Sequence, residues 1–358
     1  MFKIFIFAFA GSVIFTWIAI RVARKFDIMD RPTERKVHSE PVPLLGGLAI
    51  YAACMLAILL NFHFSLALKG VVIASSIMLV SGLVDDINDL PAWMRLIIQL
   101  VCAVIVIMFG VRLNIIPDHL PFAVLLEGVI TVIWIVGITN ALNFLDGIDG
   151  LAAGLMVIAS GTFFIIAYQT AQPYFAFLSA ALAGSSLGFL LFNFNPAKIF
   201  LGDAGSSFLG FMIASLAVMG EWAENKPIVA LSIPLLILAL LIFDMIYISV
   251  SRIAQGRVRT FREWIEYVGK DHLHHRLMWL GFTQRQTVFF IYLVSLVFSL
   301  GALALHKATT VQALLLLLQG IMILVIVTVL MLVSKDHIDK SRAYDHRSEG
   351  MIDLKETS

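Results

Sequence analysis

The sequence predicts an all-α fold, a polytopic membrane helix bundle of about eleven transmembrane helices, and three observations predict it. The 358 residues are 60% hydrophobic and only 14% charged, whereas a soluble domain carries about 25% charged residues. Mean hydropathy is +0.95. Apolar runs recur along the chain between short charged or turn-rich segments, and a run of about 20 residues crosses about 30 Å of hydrocarbon. The runs are unbroken rather than alternating, which selects helices over a barrel, because backbone groups in lipid must bond within their own segment.

The expected spans are 2–22, 44–62, 68–84, 93–111, 122–139, 151–168, 174–192, 206–220, 228–250, 287–305 and 311–333. The first could pass for a signal peptide. It lacks a small-residue cleavage site and runs straight into RVARK, so it reads as an uncleaved span. Residues 1–333 then form one integral-membrane domain with a long loop at 251–286, and 334–358 a polar, loosely ordered tail. Within the loop, FREWIEYVG has the amphipathic look of a piece lying on the membrane surface.

Charge excludes some functions and orients the chain. A formal net charge of +1 gives no field for nucleic-acid binding. Cys54 and Cys102 sit in apolar runs without metal-ligand spacing, and no disulfide framework is expected. With eleven spans, one side holds Lys3, Lys69, Arg112, Lys226 and Lys307, and the other holds the remaining twenty of 25 Lys and Arg. The richer side is cytoplasmic by the positive-inside rule, so the N-terminus is periplasmic and the C-terminus cytoplasmic. Asp85, Asp86, Asp89, Asp146, Asp149 and Asp203 all fall on that side at helix ends, and Asp244 lies inside the ninth run. Ionisable groups at such depth are costly and mark a functional site by default.

Five motifs carry these residues. In LVDDINDLPAWMR, the adjacent Asp85 and Asp86 could share a cation or a proton, or simply cap a solvated turn. The string also fits the D-D-x-x-D pattern of prenyltransferases. In NALNFLDGIDGLAAG, Asn140, Asn143, Asp146 and Asp149 recur every three residues, with Gly147 permitting close backbone approach. Amides and acids so spaced suit ribose, base and metal recognition; the plain alternative is a polar loop. In NFNPAKIFLGDAGSSFLG, Asp203 could ligate Mg²⁺ or merely cap a helix. In KDHLHHRL, His272, His274, His275 and Arg276 could hold a pyrophosphate. Zinc is disfavoured there for want of thiols or further ligands. In RPTERKVHSEPVPLLGG, the basic Arg35, Lys36 and His38 could hold phosphates or serve as ordinary membrane anchoring.

Read together and in order, from about Arg31 to about Phe282, these motifs resemble the polyprenyl-phosphate N-acetylhexosamine-1-phosphate transferase family. The His-x-His-His element is similar to that of its bacterial members joining UDP-N-acetylglucosamine to undecaprenyl phosphate. The branch loading the MurNAc-pentapeptide precursor has three consecutive histidines, which Leu273 interrupts here. The segment between Arg252 and Asp271 departs from the pattern in the loop that contacts the sugar.

The resemblance implies an enzyme of the bacterial inner membrane, with its site on the cytoplasmic side, that initiates lipid-linked glycan synthesis. UDP-HexNAc and undecaprenyl phosphate would be its partners, Mg²⁺ its cofactor with Mn²⁺ as the alternative, and a homodimer a family-level expectation. It further implies Asp203 and Asn143 as metal ligands, and Asp85, supported by Asp86, as the group that orients or deprotonates the acceptor. Asn140, Asp146, Gly147 and Asp149 would hold the nucleotide. Lys36, His38, His272, His274, His275 and Arg276 would hold phosphate or sugar. Rival readings are another UDP-sugar, a prenyltransferase, a CDP-alcohol phosphotransferase (whose Asp-Gly-x-x-Ala-Arg start is absent) and a transporter. A transporter places its site near the midplane between repeats, and no repeat is visible here.

Overall fold

The computed structural model describes residues 2–32, 40–60, 65–117, 120–222, 226–267 and 269–356, with side chains described as far as Val333. The chain is a polytopic all-α membrane bundle. Its helices are α1 (Phe2–Phe26), α2 (Gly46–Leu59), α3 (Leu66–Asn88), α4 (Ala92–Met108), α5 (Ala123–Leu145), α6 (Leu151–Gln169), α7 (Pro173–Asn193) and α8 (Gly202–Met219). There follow α9 (Pro227–Ile237), α10 (Ala239–Ala254), the short α11 (Phe261–Glu266) and α12 (Leu273–Trp279), α13 (Gln284–Ala304) and α14 (Thr310–Glu356). Two-residue strands β1 (Met29–Asp30) and β2 (Val42–Pro43) pair antiparallel.

Among the described residues, eight helices are long and apolar enough to cross a membrane, or nine if a bent pair counts as one span. Each expected apolar run coincides with a helix, but three differ from simple spans. The helices α2 and α4, with 14 and 17 residues, are shorter than a full crossing. The run expected at 228–250 is two helices, α9 and α10, bent by 77°. Pro234 lies in α9 one turn before the bend, where its missing N–H removes a rung of the helical ladder. The polar tail continues α14 as backbone helix to Glu356. FREWIE forms α11, with the Phe261 and Trp264 rings stacked 5.9 Å apart.

The bundle has an inside and a rim. The most apolar windows of α6, α7 and α8 are 67%, 72% and 78% buried, against 22% for α1 and 17% for α14. Helix α8 is therefore central. Two neighbours reach its first turn through glycine. A Cβ on Gly82 of α3 would collide with the backbone of Asp203 and Ala204, and one on Gly47 of α2 with the backbone of Gly205. The segment before α8 is also knitted to the start of α2. Gly46 N–H donates to the Phe200 carbonyl (3.1 Å), Gly47 N–H to that of Leu201 (2.9 Å), and Phe200 N–H to that of Pro43 (2.8 Å).

Gly82→Ala should therefore lower the thermal midpoint of the detergent-solubilised protein, since backbone must move to admit the methyl, at an overpacking cost of about 1–3 kcal/mol. Gly128→Ala in α5, where nothing lies within 4 Å, should leave the midpoint unchanged or raise it through helix propensity.

Candidate active site

The ends of α3, α5 and α8 meet at one place, and the contacts explain how. Helix α8 begins without a side-chain cap from its own segment, so its first N–H groups need acceptors from elsewhere. Asp86 supplies them: Oδ1 accepts from Asp203 N–H (2.7 Å) and Oδ2 from Ala204 N–H (3.1 Å). A carboxylate there also opposes the positive end of the helix dipole. Asp85 faces the other way and is 5% exposed. Its Oδ1 accepts from Leu90 N–H (2.7 Å) and its Oδ2 from Arg95 Nη1 (3.0 Å), closing the α3–α4 turn. Arg95 keeps 39% of its side chain exposed.

Helix α5 brings the amides. Asn143 Nδ2 donates to Asp203 Oδ1 (2.6 Å) and Ser206 Oγ (2.8 Å), leaving its Oδ1 outside those contacts. Asn140 forms a reciprocal amide pair with Gln99 of α4 (2.6 and 3.2 Å). Helix α5 stops at Leu145, and Asp146 is its C-cap. Burial and the charges of Asp203, Asp86 and Asp149 push the Asp146 carboxyl well above the usual carboxylate range. Asp149 turns outward from this group. Its Oδ2 accepts from Asn195 Nδ2 (2.9 Å) and Ala197 N–H (3.0 Å), fixing the loop that leads into α8.

The histidine element closes the group from a third direction. His274 sits against Gly147 so tightly that any Cβ there would collide with its Nε2. His274 is buried, and neither ring nitrogen has a hydrogen-bond partner among the described residues. Burial, and then the neighbouring His275 and His272, hold it well below the ordinary imidazole value. His275, 4.2 Å from His274 ring to ring, is pushed down to about 4 by burial and by His272 and Lys270. Both are neutral near pH 7. His272 is buried with Nδ1 2.8 Å from Asp244 Oδ2. Arg276 is buried, with Nε donating to the Asp271 carbonyl (2.9 Å) and Nη1 to the Met331 carbonyl of α14 (3.1 Å).

The structure thus gathers Asp86, Asn143, Asp146, Gly147, Asp203 and His274. Asp85 and Asn140 stand behind them, bonded to Arg95 and Gln99, while Asp149 and Arg276 tie loops together. Lys36 and His38 lie outside the described residues. Motif reading passed over Arg95, Gln99, Ser206 and Asn195, all of which stand in or beside the quoted strings. Asp244 was noticed only for its depth.

Chemically, the grouped carboxylates and the Asn143 amide oxygen are hard oxygen donors, the kind that could hold a divalent cation. Among the described residues no three His, Cys, Asp or Glu side chains form a ready metal cage. Mg²⁺ takes one or two carboxylates and completes its shell with water and substrate phosphate.

Depressed histidines have a pH signature. Between the free value of about 6.5 and the folded value of about 4 for His275, a released segment binds more protons than a docked one. Docking is then fully favourable above about pH 6.5 and weakens as pH falls toward 4. Hydrogen exchange over α12 should accelerate across that window, and His275→Gln should flatten the dependence.

Comparison with known proteins shows the family of the chain. Residues 68–221 match the family model described as glycosyl transferase family 4, a stretch covering α3 to α8 and so the whole acidic group. A Bacillus subtilis (strain 168) protein named "Probable undecaprenyl-phosphate N-acetylglucosaminyl 1-phosphate transferase" is 36% identical over 312 residues, 85% of either chain. A Mycolicibacterium smegmatis protein named decaprenyl-phosphate N-acetylglucosaminephosphotransferase is 33% identical, over 80% of this chain and 77% of its own. The undecaprenyl-phosphate alpha-N-acetylglucosaminyl 1-phosphate transferase of Escherichia coli (strain K12) is 28% identical, over 83% and 82%. With matches of this extent and order, the chain belongs to glycosyl transferase family 4.

Proposed function

We propose that this protein transfers N-acetylglucosamine 1-phosphate from UDP-N-acetylglucosamine to undecaprenyl phosphate, releasing UMP and starting a lipid-linked cell-envelope glycan. The observation that carries the reading is the joining of Asp86, Asn143 and Asp203 at the ends of three helices, in a chain whose relatives bear the names given above. The proposed setting is the cytoplasmic face of the bacterial inner membrane, supported by the one-sided distribution of Lys and Arg. A polar donor from the cytoplasm and a lipid phosphate at headgroup depth can meet only at that boundary.

In the reaction, an oxygen of the acceptor phosphate bonds to the sugar-bearing phosphorus as the bond from that phosphorus to UMP breaks. UMP leaves with the electron pair. The acceptor's second pKa is near 6, so it is largely dianionic at neutral pH and needs placement more than deprotonation. Asp85 suits placement, since both its oxygens are engaged and one of them presents Arg95. Asp203 and the Asn143 carbonyl would hold Mg²⁺, or Mn²⁺ in its stead, with Asp86 keeping Asp203 in position. When bound, the ion neutralises the donor diphosphate and stabilises departing UMP.

Asn140, Asp146, Gly147 and Asp149 shape the nucleotide side in this reading. Neutral His274 and His275 offer hydrogen bonds rather than charge, which fits sugar hydroxyls better than phosphate. Arg276 acts by holding α12 to α14. Lys36 and His38 remain the proposed phosphate contacts from the first loop.

Asp203→Asn should lower UMP release by at least about 10²–10³-fold, the scale of removing one preorganised charge contact, with membrane insertion and thermal midpoint retained. Near-normal turnover in purified Asp203→Asn would remove Asp203 from the site. EDTA should abolish release and added Mg²⁺ restore it; turnover persisting in EDTA would exclude the ion. Assaying several UDP-sugars in parallel identifies the donor.

A further inference from the structure

Asp244 is a carboxylate buried within an apolar helix that the reaction above does not use. It is 1% exposed on α10, where an unpaired charge would be prohibitive. Both of its oxygens are committed to one short stretch. Oδ2 lies 2.8 Å from His272 Nδ1, and Oδ1 accepts from Leu273 N–H at 2.8 Å. Two turns further along α10, Arg252 grips the same stretch. Its Nε and Nη2 bond both oxygens of Asp271 (2.9 and 2.6 Å), and its guanidinium lies 4.5 Å from the Tyr267 ring centroid. All three of Arg252, Asp271 and His272 are buried. Helix α10 therefore docks Tyr267, Asp271, His272 and Leu273 at two points, one of them through an imidazole.

The imidazole is the informative partner. A carboxylate can only accept, so His272 must carry its proton on Nδ1. The two ring nitrogens face roughly opposite ways, and Nε2 is turned from Asp244. The ring lies 5.4 Å from that of Phe144, next to Asn143, and stacks at 5.9 Å on His274, which abuts Gly147. We propose that Asp244 is a positioning residue: it fixes the Nδ1–H tautomer of His272 and so presents Nε2 as an unprotonated acceptor for a hydroxyl or acetamido N–H of the donor sugar. This rests on the reading of the histidine element as part of the nucleotide-sugar site.

Asp244→Asn separates tautomer from packing. The carboxamide oxygen can still accept from Leu273 N–H, but its NH₂ then faces Nδ1 and drives the proton to Nε2, turning an acceptor into a donor. The test uses the full-length protein, labelled with ¹⁵N-histidine in nanodiscs at pH 7.5, with His272 assigned by its loss in His272→Ala. Wild type should show neutral His272 protonated on Nδ1, and Asp244→Asn the reverse. In steady state, kcat/KM for UDP-N-acetylglucosamine should fall on the order of 10- to 100-fold, as when the carboxylate behind a working imidazole is removed, while KM for undecaprenyl phosphate stays within about 2-fold. In a His272→Ala background, Asp244→Asn should cost at most about 3-fold more, because residues acting as one unit are not additive.

An imidazolium or an Nε2–H tautomer in wild type overturns the assignment, and needs no variant to fold. So does multiplication of the two losses in the double variant. Absence of UMP release by wild type would instead sink the transferase reading, and the spectra would still decide the Asp244–His272 pairing.

Discussion

The site depends on one interaction, the carboxylate of Asp86 closing the uncapped first turn of α8. A helix start leaves N–H groups with no partner in their own helix. Asp86 satisfies two of them from a helix that lies 117 residues earlier in the chain. The contact requires α3 and α8 to approach backbone to backbone, which Gly82 permits. Once made, it fixes where Asp203 can point, and Asn143 of α5 completes the arrangement from the side. Three helix ends are thereby joined by carboxylate and amide in addition to close packing.

This arrangement stores electrostatic tension. Burial first, and then Asp203 and Asp86, raise the cost of charge on Asp146, while Arg95 pairs with Asp85. A group of acids that repel one another at a membrane boundary is poorly explained as a stability device, since buried charge without a counter-charge destabilises. In the proposed reaction the counter-charge would arrive with the substrate, as a cation beside a diphosphate. On the opposite wall His274 is buried, and burial holds its imidazole and that of His275 below the ordinary value. The proposal accordingly gives charge recognition to α3, α5 and α8 and sugar recognition to the α10–α12 loop.

The fold was legible because lipid leaves few choices: long apolar runs must be helices, and each expected run coincides with one. Hydropathy could not reveal the 77° bend between α9 and α10, for which Pro234 is the only cue. The site was legible as residue types at helix ends, and much less so as roles. Asn140, Asn143, Asp146 and Asp149 look equivalent at a spacing of three, but α5 ends at Leu145 and sends the last two along different paths. Asp149 bonds a loop that begins 46 residues later. Arg276 reads from its motif as a phosphate or sugar contact, and in the structure it also donates to the carbonyls of Asp271 and of Met331 in α14. Such pairings are long-range, and no local spacing encodes them. Asp244 announced itself by depth alone; its partner lies 28 residues on in the loop.

What distinguishes this account from any other use of a nucleotide sugar is the bond that breaks. The most direct measurement supplies donor labelled at the phosphate next to the sugar, together with undecaprenyl phosphate and the purified protein, and follows the label. Transfer of sugar 1-phosphate predicts label in the lipid extract and unlabelled UMP in the aqueous phase. Label leaving in water-soluble UDP, or a lipid product without it, would contradict the account.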